Sequence, residues 1–347
     1  MLTQEQVNEI KEHLRKSQNP LFFFDNDVDG LCSFLLLQRF AEKGKGVPVK
    51  SFPELTEEYF RKVHELNADY IFILDKPLVS DEFFQKSREF NIPVVCIDHH
   101  DTKRKIPEFV NYYNPVVQGK DASGPTTYLC YQISNKREDM WLAVIGCISD
   151  KFFPEFYADF KDNFPDLAVD SEEPFHIRYR SQIGKITNLF SFALKDRTTN
   201  VINMLRFLMK VKSPYDVLNE MNKNYFMHQR YNQINSKYQI LLQKAKKLLF
   251  GKVLFFRYRG DLSISSDLAN ELNYIFPEKI VVVAYDSGIK ANISARGKNV
   301  RKIMLEIIRD FTDSTGGGHE EAIGVKIQSK HLDELKRRLI SAAGKQQ

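Results

Sequence analysis

The chain has 347 residues, 43% of them hydrophobic, which is enough for two compact domains. Its formal charge of +5 is too modest to mark a nucleic-acid binder by itself. No apolar run approaches about 18 residues and no signal-peptide pattern is present, which argues against membrane insertion and secretion and for a cytoplasmic protein.

The first informative element is LFFFDNDVDG, residues 21–30, where Asp25, Asp27 and Asp29 crowd behind four apolar residues. Two carboxylates ~4 Å apart repel by roughly 4 kcal/mol at an effective dielectric near 20. Three together must protonate, separate into solvent, or share a cation. Ordinary turn chemistry would satisfy the second option. Two further segments weigh against it. ADYIFILD ends at Asp75, and IPVVCIDHH ends at Asp98, His99 and His100. Each run is short, continuous and rich in β-branched and aromatic residues, as in a strand buried on both faces of a parallel sheet. Between the runs lie helical patterns. LCSFLLLQRFAEKGKG follows Gly30, and SDEFFQKSREFN offers Ser80 as N-cap with Phe83, Phe84 and Phe90 on the expected buried side. The order β-α-β-α-β predicts an open α/β sheet, whose ligands bind beyond the carboxyl ends of the strands. All three acidic termini would meet there.

MWLAVIGCISD is apolar all round and delivers a fourth acidic end, Asp150; its periodicity fits helix and strand equally. A carboxylate ending a buried segment needs a cation or hydrogen-bond donors. The resulting set of Asp carboxylates with one or two imidazoles suits Mn²⁺ or Mg²⁺ better than a structural zinc. It exceeds what one ion needs. Two ions sharing a carboxylate would use it, an arrangement suited to phosphoester hydrolysis.

Asp25-Asn26-Asp27-Val28-Asp29-Gly30, Asp75, Asp98-His99-His100 and Asp150, in that order, resemble the four motifs of the DHH phosphoesterases, which include the RecJ nucleases. DASGPTTYLCYQI, from Asp121, is similar to that family's small-residue loop and helix. Towards the C-terminus, TGGGHEEAIG places Gly316, Gly317, Gly318 and His319 in a pattern similar to the glycine-rich motif of the DHH-associated domain. ANISARGKN sets Arg296 on an expected strand, as in that domain's substrate contact. Glycines let a backbone approach phosphate, and an arginine offers a bidentate fork.

The resemblance implies that Asp25, Asp27, Asp29, Asp75, His99 and Asp150 bind two Mn²⁺ ions, with Mg²⁺ as the alternative. It implies catalytic roles for Asp98, which would orient His99, and for His100, which would contact the scissile phosphate. Arg296, Gly316, Gly317, Gly318 and His319 would bind substrate. Two departures stand out. Phe23 occupies the position four before Asp27 where many members carry histidine, so Asp25 is expected to take over that role. Glu320 and Glu321 directly follow the glycines, unusual beside a phosphate site.

The remainder carries less signal. IKANISARGKNVRK holds Lys290, Arg296, Lys298, Arg301 and Lys302 with no acid, a stretch that would track a polyanion. TKRK after the triplet and KAKK at 244–247 are more ambiguous, and the second reads as a solvated helix face. Residues 151–195 match no motif, and Phe152, Phe153, Phe156 and Tyr157 read as core packing. Residues 196–250 read as helices. His64, His176, His228 and His331 are expected on the surface. Cys32, Cys96, Cys130 and Cys147 lack a C-x-x-C pair and read as reduced core residues.

The expected architecture is an N-terminal, mainly parallel-sheet catalytic domain (1–195), a helical connector (196–250) and a smaller C-terminal α/β substrate-binding domain (251–345), with the active-site cleft between them. The expected activity is that of a RecJ-like two-metal exonuclease on single-stranded DNA or RNA or short oligonucleotides. A small-nucleotide phosphodiesterase or phosphatase, for cyclic dinucleotides or 3′-phosphoadenosine phosphate, is the first alternative. A non-catalytic replication or repair scaffold, with the partners that implies, is the second; retention of the whole ligand set speaks against it.

Overall fold

A computed structural model describes residues 1–50, 54–101, 104–117, 124–248 and 251–344. Thr102 and Lys103 of the TKRK cluster, Asp121, Ala122 and Ser123 of the small-residue loop, and Lys345 at the expected domain end lie outside them. The chain separates into two compact units, Met1–Tyr231 and Asn232–Gln347, and the division falls inside the helix Tyr225–Lys246.

In the first unit, β1 (Pro20–Asp25), β2 (Lys45–Val49), β3 (Tyr70–Leu74), β4 (Val94–Ile97) and β5 (Asn111–Tyr113) form one sheet in the order β2-β1-β3-β4-β5. Every pairing in it is parallel. The unbroken apolar runs follow from burial on both faces. Phe22, Phe24, Phe72 and Val95 enter one core with the helices Val28–Ala41 and Met140–Ser149, while Leu21, Phe23, Ile71 and Cys96 pack on the other face with Phe60, Phe83 and Phe84.

Asp150 caps the helix Met140–Ser149, nearly all of which is buried; its lack of periodicity reflects that burial. The helix Asp81–Glu89 starts at the expected cap, where Ser80 Oγ accepts from the Phe83 N–H at 3.2 Å. Phe90 is a correction. It ends that helix at 53% exposure, and its ring packs against Phe60 and His64 at the surface. Strands β2 and β5 were not anticipated, because Lys45, Gly46 and Pro48 mark an edge strand and β5 has only three residues. Residues of 196–231, including Val201, Met204, Leu208 and Met227, bury apolar side chains in the first unit's core. Phe152, Phe153 and Phe156 pack against the same core, and Tyr157 is within it. His228 is also corrected: it is buried, with Nε2 2.9 Å from the Val217 carbonyl.

The second unit contains β6 (Val253–Tyr258), β7 (Ile280–Asp286), β8 (Lys290–Arg296), β9 (Thr315–His319) and β10 (Ala322–Gln328), in the order β6-β7-β8-β10-β9. Only the β6–β7 pairing is parallel. The helices Val300–Ile308 and Leu332–Gly344 contribute Ile303, Met304, Ile307, Leu335 and Leu339 to its core.

Candidate metal centre

Parallel order brings the carboxyl ends of β1, β3 and β4 side by side, and each carries its acid at or one step beyond the end of the apolar run. Gly30 makes the first turn tight: a Cβ there would lie 2.3 Å from the Asp25 carbonyl oxygen, so glycine lets the helix Val28–Ala41 start directly against the strand end. Asp27 caps that helix through the Gly30 N–H at 2.9 Å. Asp75 turns out of β3 in the left-handed region, φ 58°, while its N–H still donates to the Ile97 carbonyl at 3.0 Å.

Among the described residues of the first unit, three groups of donor atoms are each drawn together within 4.8 Å. The first joins Asp29, Asp75 and His99, the second Asp25, Asp27 and Asp75, and the third Asp75, Asp98 and His100. Asp75 belongs to all three. His99 Nε2 lies 3.3 Å from Asp75 Oδ1, 3.7 Å from Asp29 Oδ2 and 3.7 Å from Asp150 Oδ2, which brings Asp150 to the first group. Thus all six expected metal-binding residues converge within the first unit. Burial, then the charges of Asp29, Asp27 and Asp25, push the Asp75 carboxyl well above the usual carboxylate range. Surrounding protein atoms desolvate the Asp27 carboxyl, and Asp25 and Asp29 push it the same way, although the residue's outer face is exposed. Divalent cations would relieve both, and hard oxygens with one imidazole are a fitting donor set for Mn²⁺ or Mg²⁺.

Asp29 has a second attachment. Its two carboxylate oxygens accept the Thr126 and Thr127 N–H groups at 3.0 and 2.7 Å, the open N-terminus of the helix Thr126–Ser134. Each oxygen keeps another lone pair for a cation. Thr126 Oγ1 also donates to Asp75 Oδ1 at 3.1 Å. These threonines were missed by sequence reasoning; the PTT sequence opening a helix was the available signal.

Asp98 Oδ1 lies 2.8 Å from His100 Nδ1, so this carboxylate orients His100. Burial works against the Asp98 charge, but His100 outweighs it and holds the carboxyl below its ordinary range. Burial likewise opposes the His100 charge, and Asp98 overrides it, raising that imidazole to about 9. Asn114 Nδ2 supports the turn by donating to the His100 carbonyl at 2.9 Å.

Lys76 was also missed, although it directly follows Asp75. It is buried, with Nζ 3.5 Å from Asp25 Oδ1 and 2.5 Å from the Lys50 carbonyl oxygen. Burial lowers its pKa from the ordinary lysine value, against the opposing pull of Asp25.

The expected substrate-binding residues lie in the second unit. Arg296 ends β8, and its guanidinium is oriented by Asn270 Oδ1 at 2.6 Å, Ser266 Oγ at 3.0 Å and the Ala295 carbonyl at 2.9 Å. Gly316, Gly317, Gly318 and His319 form most of β9, the exposed edge of the sheet. At Gly318, φ 146°, a Cβ would meet the Ala322 carbonyl oxygen at 2.3 Å, so glycine is required. Glu320 and Glu321 turn the β9–β10 hairpin, and their carbonyls accept the N–H groups of Arg301 and Gly297 at 3.1 and 3.0 Å. Their backbone therefore fastens this edge to the segment after Arg296.

Residues 21–148 match the DHH family, N-terminal domain, and residues 247–345 match the DHHA1 domain. No curated protein sequence matches the chain. Among solved structures, RecJ in complex with Mn²⁺ from Thermus thermophilus is similar at 14% identity and a TM-score of 0.70, over 98% of this chain and 54% of that one. This chain thus spans about half that RecJ's length. Another structure, exonuclease RecJ bound to manganese, is similar at 16% identity and a TM-score of 0.64, over 98% of this chain and 94% of that one. A pGpG-specific phosphodiesterase from Vibrio is similar at 12% identity and a TM-score of 0.50, over 94% and 99% of the two chains. At these identities the likeness is one of fold.

Proposed function

Because the chain belongs to the DHH family of phosphoesterases and carries a C-terminal DHHA1 domain, we propose that it is a two-metal-ion phosphodiesterase that hydrolyses single-stranded nucleic acid or short oligonucleotides, as a RecJ-like exonuclease acting in the cytoplasm. The observation that carries this reading is Asp75, the one carboxylate common to the His99 group and the Asp25–Asp27 group. Asp29, Asp75, His99 and Asp150 would hold one ion; Asp25, Asp27 and Asp75 would hold the other. Bound ions of this kind supply Lewis-acid polarisation of a phosphate and activation of water.

The chain's own side chains do the rest. Thr126 fixes the rotamer of Asp75, and the helix N-terminus beside it fixes Asp29. His100, oriented by Asp98 through Nδ1, would donate from its other ring nitrogen to an oxygen of the scissile phosphate. Arg296, pre-oriented by Asn270 and Ser266, grips a more distant phosphate with Gly316, Gly317, Gly318 and His319. Residues 1–195 would carry the catalysis and residues 251–345 the substrate binding, with a helical connector at 196–250.

The test is incubation with Mn²⁺ or Mg²⁺ and 5′- or 3′-labelled DNA and RNA of several lengths, beside linear and cyclic dinucleotides. Stepwise shortening of single strands, abolished by EDTA and restored by Mn²⁺, is the expected result. Cleavage of dinucleotides alone would replace this reading with the small-nucleotide one. No hydrolysis of any phosphodiester by metal-loaded protein would leave a scaffold role.

A further inference from the structure

Lys76 is placed where a second metal ion's charge would be needed. Its side chain is 1% exposed and starts two residues past the end of β3, after Asp75. The sheet order β2-β1-β3 sets the end of β1 between the ends of β3 and β2, and Asp25 is the register partner of Val49. The lysine stem crosses that gap. Its Nζ donates to the Lys50 carbonyl, just beyond β2, and stands 3.5 Å from Asp25 Oδ1 on the way. An ammonium this deeply buried keeps its charge only with such partners, and a carboxylate so paired is already partly neutralised. On the other side of Asp75, the group that complements Asp29 is the imidazole of His99, which is itself a metal ligand type.

We propose that Lys76 is a resident cation of the Asp25–Asp27–Asp75 group, so that a divalent ion binds there more weakly than at the Asp29–Asp75–His99 group. The inference rests on the two-ion reading above and adds an asymmetry to it. Two cations competing for Asp25 repel each other, and even well-screened repulsion between like charges is worth about a factor of ten in affinity. The second ion is then the exchangeable one.

The experiment is calorimetric titration of metal-free protein with Mn²⁺, with bound metal counted by elemental analysis, for the wild type, Lys76→Met and Lys76→Gln. Lys76→Gln keeps a donor for the Lys50 carbonyl should the methionine variant fold poorly, and a thermal melt of each protein checks folding. The wild type should show two classes of ion differing at least about tenfold in affinity. Removing the charge should tighten the weaker class by about tenfold or more and leave the tighter class unchanged. A weaker class that stays unchanged or weakens further in a folded charge-free variant overturns the inference while leaving two ions in place. Two equal classes in the wild type overturn it as well. A wild type that binds no Mn²⁺ overturns the two-ion reading and this inference with it.

Discussion

The two halves of the acidic centre share Asp75 but are held in different ways. On the His99 side, Asp29 is anchored by two backbone N–H groups at a helix N-terminus, and the nearby imidazole is a metal ligand type. On the Asp25 side, the carboxylates belong to one turn, Asp27 caps its own helix, and a buried ammonium stands beside Asp25. The first half is preorganised by contacts that leave lone pairs directed inward, whereas the second already contains a positive charge. The difference teaches that equal numbers of carboxylates need not make equal ion sites. What neutralises them before the ion arrives sets the affinity.

Removing the shared residue should have the largest effect. Asp75→Asn should lose Mn²⁺ from both groups and lower turnover by roughly three orders of magnitude, the several kcal/mol attached to metal-ion stabilisation of developing charge. Elemental analysis showing normal Mn²⁺ in a folded Asp75→Asn protein would break the comparison at its root. The halves should next come apart under single substitutions. Asp29→Asn should lose the tighter ion. It should also lower the melting temperature, because charge-assisted bonds to the Thr126–Ser134 helix are worth about 1.5–3 kcal/mol. Asp25→Asn should retain the tighter ion, and calorimetry on both variants decides the point.

Arg296→Ala tests whether the second unit stands outside this contrast. It should leave Mn²⁺ binding unchanged and cost about ten- to a hundredfold in kcat/KM on oligonucleotides. Bis-p-nitrophenyl phosphate, which has no remote phosphate, should be hydrolysed almost normally; equal losses on both substrates would place Arg296 in the chemical centre or in folding. The smallest effect serves as a control. Ser80→Ala removes a helix cap on the far face of the sheet, should cost about 1 kcal/mol in urea unfolding, and should not alter Mn²⁺ affinity at either group.

Much of this was legible in the sequence because parallel strands buried on both faces write themselves as unbroken apolar runs, and an acid placed just after each run must lie at the same sheet edge. That rule alone puts Asp25, Asp75, Asp98 and His99 at one sheet edge. Three kinds of information were not local enough to read. Which neighbour Asp98 holds depends on the turn after β4, and the turn presents His100 to it. The helix that supports Asp29 lies 97 residues away in the chain. Lys76 looks like an ordinary surface lysine until the strand order β2-β1-β3 shows that its stem must cross the end of β1. The glycine run at 316–318 reads as a loop by composition, yet pairing with β10 makes it an edge strand.

All of the ion-site proposals depend on Asp75 being the carboxylate common to both ions. Anomalous diffraction from crystals soaked in Mn²⁺ tests it most directly. Two peaks should contact the Asp75 carboxylate, one also reaching Asp29 and His99, the other Asp25 and Asp27. Peaks that do not touch Asp75, or none at these strand ends, would contradict it.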